Sequence, residues 1–185
     1  MREIPYAGVV QAVRDLCIRA NTVLTGDLCT AIRKAQETEP SPVGKAILGD
    51  LEENFTFAAE RGLPICQDTG MAVVFVDWGQ ECHLTGGALE DAGNEGVARG
   101  YTEGFLRKSV VRDPLRRVNT ENNTPAILHL TMTPGDGVKI TVAPKGFGSE
   151  NMTALRMFNP SVTPEQVEDF IVESVARAGS NPCPP

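Results

Sequence analysis

Apolar side chains recur along the chain with two different periods, and the changes of period divide it into elements. Val9, Val10, Val13, Leu16, Cys17 and Ala20 repeat at helical spacing, which predicts an amphipathic helix from about Tyr6 to Ala20. A second helix follows Thr25 and carries Leu28, Ile32 and Ala35. Ser41 and Pro42 make an N-cap and first-turn pair for a third, which runs to Arg61 and stops at Gly62. Its buried stripe is expected to be Val43, Ala46, Ile47, Leu51, Phe55 and Ala58. From Met71 to Trp78 the pattern changes: MAVVFVDW is rich in valine and holds no charge before Asp77, as in a strand buried on both faces. GGALEDAGNEGVARGYTEGFLRKSVV returns to helix, with acidic residues early and Arg107 and Lys108 late, an order that suits the helix dipole. Its four internal glycines point to close packing or to a break.

Turn signals at Asp113-Pro114 and NTENNTP precede two strands, Ala126–Met132 and Val138–Ala143, with PGDG between them as a hairpin turn. Thr163, Pro164 and Gln166 form a capping box for a last helix carrying Val167, Phe170, Ile171, Val175 and Ala178, which Gly179 stops. No repeat, low-complexity tract or linker interrupts this order. Residues 1–185 are therefore expected to form one α+β domain, a helical N-terminal region packed on a small mixed or antiparallel sheet. The end SNPCPP follows a helix stop with no closing element, which suggests a fragment or a processed chain.

Composition narrows the function classes. At 185 residues, 41% hydrophobic and 22% charged, the chain can bury one real core. No apolar run approaches the roughly 20 residues that span a membrane, and MREIPYAGVV lacks the apolar centre of a signal peptide. A net charge of -7 argues against nucleic acid, which needs a basic face. It leaves an anionic small molecule open, because a few placed Arg and Lys can dominate one pocket. Five cysteines, Cys17, Cys29, Cys66, Cys82 and Cys183, include no CxxC pair. That odd count points to reduced thiols in the cytoplasm. Cys17 and Cys29, on helical patterns among apolar neighbours, are expected to be buried.

Candidate chemistry gathers in four places. In LPICQDTGMAVVF the residues Cys66, Gln67, Asp68 and Thr69 form a polar loop that delivers the chain into a core strand. Such a loop serves either binding and catalysis or the capping of backbone groups. Cys66 and Cys183, 117 residues apart and each beside prolines, are poor zinc ligands by spacing but compatible with an iron–sulfur cluster built from separate loops. PKGFGSEN follows a strand and offers backbone amides to an anion, although it matches neither GxxxxGK[ST] nor GxGxxG, and a plain glycine-rich turn is the alternative. Arg107 in LRKS can grip a carboxylate with two parallel hydrogen bonds, or end a helix in solvent. His83 and His129 suit structural roles, and Cys82 is ambiguous.

Taken in order, ICQDTGMAVVF, LRKSVV, NTPA, APKGFGSENM and NPCPP resemble the class I (iron–sulfur) fumarate hydratases, in particular the alpha subunit of the two-subunit fumarase/L(+)-tartrate dehydratase type. The likeness covers nearly the whole chain. It implies a 4Fe-4S cluster held by three cysteines, with one open iron acting as a Lewis acid in the reversible dehydration of (S)-malate to fumarate. By this resemblance Cys66 and Cys183 match two cluster ligands, Gln67 and Asp68 lie at the substrate, and Asp68 is the catalytic candidate. Arg107 matches a carboxylate-binding arginine, and Gly146 or Gly148 offers a backbone contact to the substrate. The third ligand cysteine belongs beyond Pro185, and the proton-abstracting base belongs to a beta subunit. The chain is thus expected to work only in an oligomer of alpha and beta, as the N-terminal part of its subunit. By itself it is expected to be inactive and a poor cluster binder. Two other readings stand beside this one: L(+)-tartrate dehydratase, and a cluster-free module that binds a dicarboxylate or serves assembly.

Overall fold

A computed structural model describes residues 1–179 and 181 of the chain. They fall into two compact units, one of Met1–Lys145 and a second that begins at Gly146. Cys183 lies outside the described residues.

The first unit begins with a short strand β1 (Arg2–Pro5) and three helices, α1 (Tyr6–Thr22), α2 (Gly26–Thr38) and α3 (Pro42–Arg61). Local chemistry sets the ends of α3: Ser41 Oγ accepts from the Gly44 amide at 3.3 Å, Pro42 occupies the first turn, and Gly62 closes the helix at φ 64°. Strands β2 (Met71–Gly79) and β3 (Cys82–Thr85) follow, then α4 (Leu89–Glu103), β4 (Ile127–Thr133) and β5 (Val138–Lys145). The expected α+β class is borne out, and the three-stranded sheet is mixed. Its order is β4-β2-β5, with β4 parallel and β5 antiparallel to the central strand. A second, two-stranded parallel sheet joins β1 to β3, elements too short for the sequence pattern to announce.

The core lies between α1, α4 and one face of the central sheet. Val9, Val10, Val13 and Cys17 from α1 meet Ala92, Val97 and Tyr101 from α4 over Ala72, Val74, Val76 and Trp78 of β2. The internal glycines mark close packing. A Cβ on Gly96 would lie 2.6 Å from Val13 Cβ, and one on Gly100 would lie 2.8 Å from Cys17 Cβ, so α1 and α4 approach where α4 carries no side chain.

Several expectations need correction. β2 is buried on one face only: Ala72, Val74, Val76 and Trp78 point inward, while Phe75 on the other face is 45% exposed and stacks on His129 at 5.0 Å. The stripe of α3 is mostly uncovered, with Val43 69% and Ile47 54% exposed and only Phe55 and Ala58 enclosed. Helical periodicity marks a face as apolar without specifying what covers it.

Helix α4 ends at Glu103, so Arg107 and Lys108 are not in its last turn. Gly104 and Phe105 close it: Phe105 takes φ 52° and the Leu106 amide reaches back to Tyr101 O at 3.0 Å, a Schellman ending. PGDG does not join paired strands either, because β2 lies between β4 and β5. The loop instead crosses the end of β2, where Gly79 N donates to Gly137 O at 2.8 Å and Glu81 N to Gly135 O at 3.0 Å. A Cβ on Gly79 would lie 2.4 Å from Gly135 O, so only glycine fits beneath the crossing.

Cys17 is fully enclosed, and burial pushes its thiol from 9.0 up to about 12. Above pH 9 the unfolded chain therefore releases a proton that the folded chain keeps. The contribution of Cys17 to stability is expected to be flat below about pH 8 and to fall by at most about 1.4 kcal/mol per pH unit between 9 and 12. Urea midpoints between pH 8 and 11 check this. The Cys17→Ala chain should show a shallower slope, and an equal slope would exclude Cys17 as its source. Cys29 is half-buried rather than enclosed, with its sulfur 3.8 Å from Leu24 O.

In the second unit a short 3-10 helix (Gly148–Met152) precedes α5 (Pro164–Ala178), which opens on the expected Thr163–Gln166 capping box. Phe158 and Phe170 meet edge to face at 5.7 Å, with the Arg156 guanidinium 4.8 Å from the Phe170 ring centre. Among the described residues no helix is long and apolar enough to cross a membrane.

Candidate functional site

The loop between α3 and β2 is fixed at both ends, and its crest is exposed. On the upstream side the Ile65 amide donates to Asn21 O at 2.9 Å, and Asn54 Nδ2 donates to Ile65 O at 2.9 Å. Cys66 and Gln67 follow in the open, with Asp68 half-buried behind them. Asp68 Oδ1 accepts from the Gly70 amide at 3.0 Å, an Asx turn that bends the chain toward β2. Gly70, at φ 61°, completes the bend in a conformation that costs glycine nothing.

Downstream the loop is tied to residues distant in sequence. Thr69, 2% exposed, donates its hydroxyl to Arg107 O at 3.0 Å. The Tyr101 hydroxyl, from the last turns of α4, donates to Thr69 O at 2.7 Å. Burial raises the Tyr101 phenol above its usual range, so it remains a donor at any physiological pH. Asn123 Nδ2 donates to Gly70 O at 3.0 Å, while its Oδ1 accepts from the amides of Ser109 at 2.7 Å and Val110 at 3.0 Å.

Strand register explains why these segments meet. β4 runs parallel to β2 with Ile127 opposite Val73, and β5 runs antiparallel with Lys145 opposite Met71. The start of β2, the start of β4 and the end of β5 therefore share one end of the sheet. The crest of Cys66, Gln67 and Asp68 is thereby linked through Thr69 to the LRKS segment. Arg107, exposed, is drawn to the loop although 38 residues separate the bonded pair. Gly146 and Gly148 belong to the second unit, where Gly148 opens the 3-10 helix and Glu150 N donates to Phe147 O at 3.1 Å. The sequence reading missed Tyr101 and Asn123. NTENNTP signalled only a turn, and nothing local shows that one asparagine of three would be buried.

Donor chemistry tests the cluster expectation. Cys66 is a free, exposed sulfur on a fixed loop and fits one thiolate ligand. The other described cysteines do not: Cys17 is enclosed and protonated, Cys29 lies close to Leu24 O, and Cys82 donates to Asp136 O at 3.0 Å near the far end of β2. Among the described residues no group of three or more His, Cys, Asp or Glu could hold a metal ion. Among the described cysteines, Cys66 is the one whose sulfur suits a thiolate ligand.

The sequence pattern of the Fumarate hydratase (Fumerase) family matches residues 10–185. The chain is 35% identical over 184 residues to a Methanocaldococcus jannaschii protein provisionally named L(+)-tartrate dehydratase subunit alpha, covering 96% of this chain and 64% of that protein. It is 36% identical over 152 residues to the anaerobic class I fumarate hydratase of Escherichia coli K12, covering 80% of this chain and 28% of that one. It is 26% identical over 181 residues to L(+)-tartrate dehydratase subunit alpha of Escherichia coli UTI89, covering 96% and 59%. The chain therefore spans less than two thirds of the length of each of these relatives.

Proposed function

This chain belongs to the Fumarate hydratase (Fumerase) family, and we propose that residues 1–185 act as the N-terminal part of the catalytic domain of a hydro-lyase alpha subunit that interconverts (S)-malate and fumarate. The observation that carries this reading is the Thr69–Arg107 bond, which unites the CQDTG loop with the LRKS arginine. Cys66, Cys183 and a cysteine outside this chain would hold a 4Fe-4S cluster, whose open iron supplies Lewis acidity.

The chain's own residues bind and orient. The Arg107 guanidinium takes one substrate carboxylate through two parallel hydrogen bonds, a geometry that lysine cannot copy. The Gln67 amide gives a donor and an acceptor to the polar end of the substrate. Asp68, its carboxylate fixed by the Gly70 amide, orients either the substrate hydroxyl or Arg107. The backbone of Gly146 or Gly148 contributes a further hydrogen bond to the substrate. A base on the beta partner takes the proton from the carbon beside the leaving hydroxyl. The isolated chain is inactive on this reading, and the working enzyme is a cytoplasmic oligomer of alpha and beta.

A second reading keeps the mechanism and changes the substrate to L(+)-tartrate. It is favoured by two relatives named as tartrate dehydratase alpha subunits, each matching 96% of this chain. Anaerobic turnover of fumarate, (S)-malate and L(+)-tartrate by the full-length subunit with its partner decides between the two. Arg107→Ala should lower kcat/KM for the preferred substrate roughly 10–200-fold, as loss of a hydrogen bond to a charged group does, and Arg107→Lys should recover only part of it. An unchanged kcat/KM in Arg107→Ala would remove Arg107 from the site.

A further inference from the structure

We infer that Asn123 is a positioning residue: its side chain holds the loop bearing Gln67 and Asp68 in fixed register with the segment bearing Arg107. What the two segments bind rests on the reading above; the clamp itself rests on geometry.

Residues 66–70 and 107–110 form no β ladder with one another, so their alignment depends on side chains. Two adjacent rungs supply it. Thr69 Oγ1 reaches Arg107 O, and Asn123 reaches Gly70 O on one side and the amides of Ser109 and Val110 on the other. Only the second rung contacts both strips of backbone through one side chain, and Asn123 is 0% exposed. A primary amide suits this task because it carries a donor and an acceptor on one rigid plane. An ionised aspartate would accept from the two amides but offer nothing to Gly70 O. The backbone at Asn123 stands at φ 62°, which asparagine tolerates and most residues do not.

Arg107 is long and exposed, so the placement of its guanidinium is set by the register of its backbone. A slip of about 1 Å between the reacting parts of a site can cost roughly 10²-fold in rate. The alternative role for Asn123 is that of a turn former, needed for its φ alone. Glycine separates the two roles, since it keeps the left-handed backbone and removes every side-chain bond.

The test compares Asn123→Gly, Asn123→Asp and a core control, Val10→Ala, in the full-length subunit with its partner. Steady-state kinetics on fumarate and L(+)-tartrate are read beside Tm and amide exchange at Gly70, Ser109 and Val110. Both Asn123 variants should lose about tenfold or more in kcat/KM; Asn123→Gly should exchange faster at all three amides, and Asn123→Asp, which keeps its acceptors for Ser109 and Val110, at Gly70. Val10→Ala, although less stable, should keep kcat/KM within about twofold of the parent. Kinetics within about twofold of the parent in Asn123→Gly would overturn the inference, as would faster exchange confined to Ser109 and Val110. If the parent turns over neither substrate, the functional reading fails and exchange alone decides the clamp: faster exchange at Gly70 in Asn123→Gly sustains it, and unchanged exchange there overturns it.

Discussion

If Cys66 is a cluster ligand as proposed, replacing it with serine should leave the full-length subunit and its partner without cluster and without hydro-lyase activity. The sulfur sits at the exposed crest of a loop fixed on both sides, so the side chain can be captured without rearranging the fold. A serine hydroxyl keeps the shape but not the soft thiolate that iron–sulfur clusters require. No described cysteine can take its place: burial holds Cys17 protonated to about pH 12, and Cys82 is engaged by Asp136 O. Since even an outer-sphere substitution costs roughly 10–100-fold in metal affinity or activity, loss of a ligand should exceed that range. Iron and acid-labile sulfide per chain after anaerobic reconstitution, measured beside turnover, are the readouts. Cys183→Ser is expected to behave alike. Undiminished iron and sulfide in Cys66→Ser would sink the assignment.

The second large effect is on stability. Gly96→Val should destabilise the first unit by about 3 kcal/mol, the upper part of the range for overpacked cores. Its first added carbon alone would stand 2.6 Å from Val13 Cβ and 2.8 Å from Val10 O, and the latter is backbone that cannot turn aside. At roughly 2–4 °C per kcal/mol for a chain of this size, Tm should drop by about 10 °C. Gly26→Ala is the contrast, since an added Cβ there meets nothing within 4 Å. It should be neutral or stabilising by up to about 1 kcal/mol. Equal melting of the two variants would mean that α1 and α4 are not packed through these glycines.

Helices with local stop and start chemistry were legible from sequence: Ser41-Pro42 and Gly62 frame α3, and Thr163 with Gln166 opens α5. The pairing of strands was not. β4 and β5 look like a hairpin around PGDG because the rule for such turns is local, whereas a third strand from far upstream occupies the place between them. The end of α4 was hidden for a related reason. Leu106 and Val110 continue the apolar pattern past Glu103, and Phe105 adopts a left-handed conformation that residue type does not announce. At the site, CQDTG stood out as four polar residues before an apolar strand. Tyr101 and Asn123 did not, because each acts on backbone atoms 32 or 53 residues away. The exposed stripe of α3 could not be foreseen at all, since a periodic pattern describes one surface of an interaction and not the other.

The central place of β2 also bears on how the protein is made. The ribosome completes MAVVFVDW long before either neighbour exists, because β4 begins at Ile127 and β5 at Val138. At about 5–20 residues per second, the valine-rich strand waits several seconds with both backbone edges unsatisfied. Helices α1, α2 and α3 have already emerged by then, yet α4, which helps cover its inner face, comes later in the chain. Nascent chains halted within this interval would present an open template for strand addition, so the order of synthesis leaves a valine-rich strand exposed until its neighbours are made.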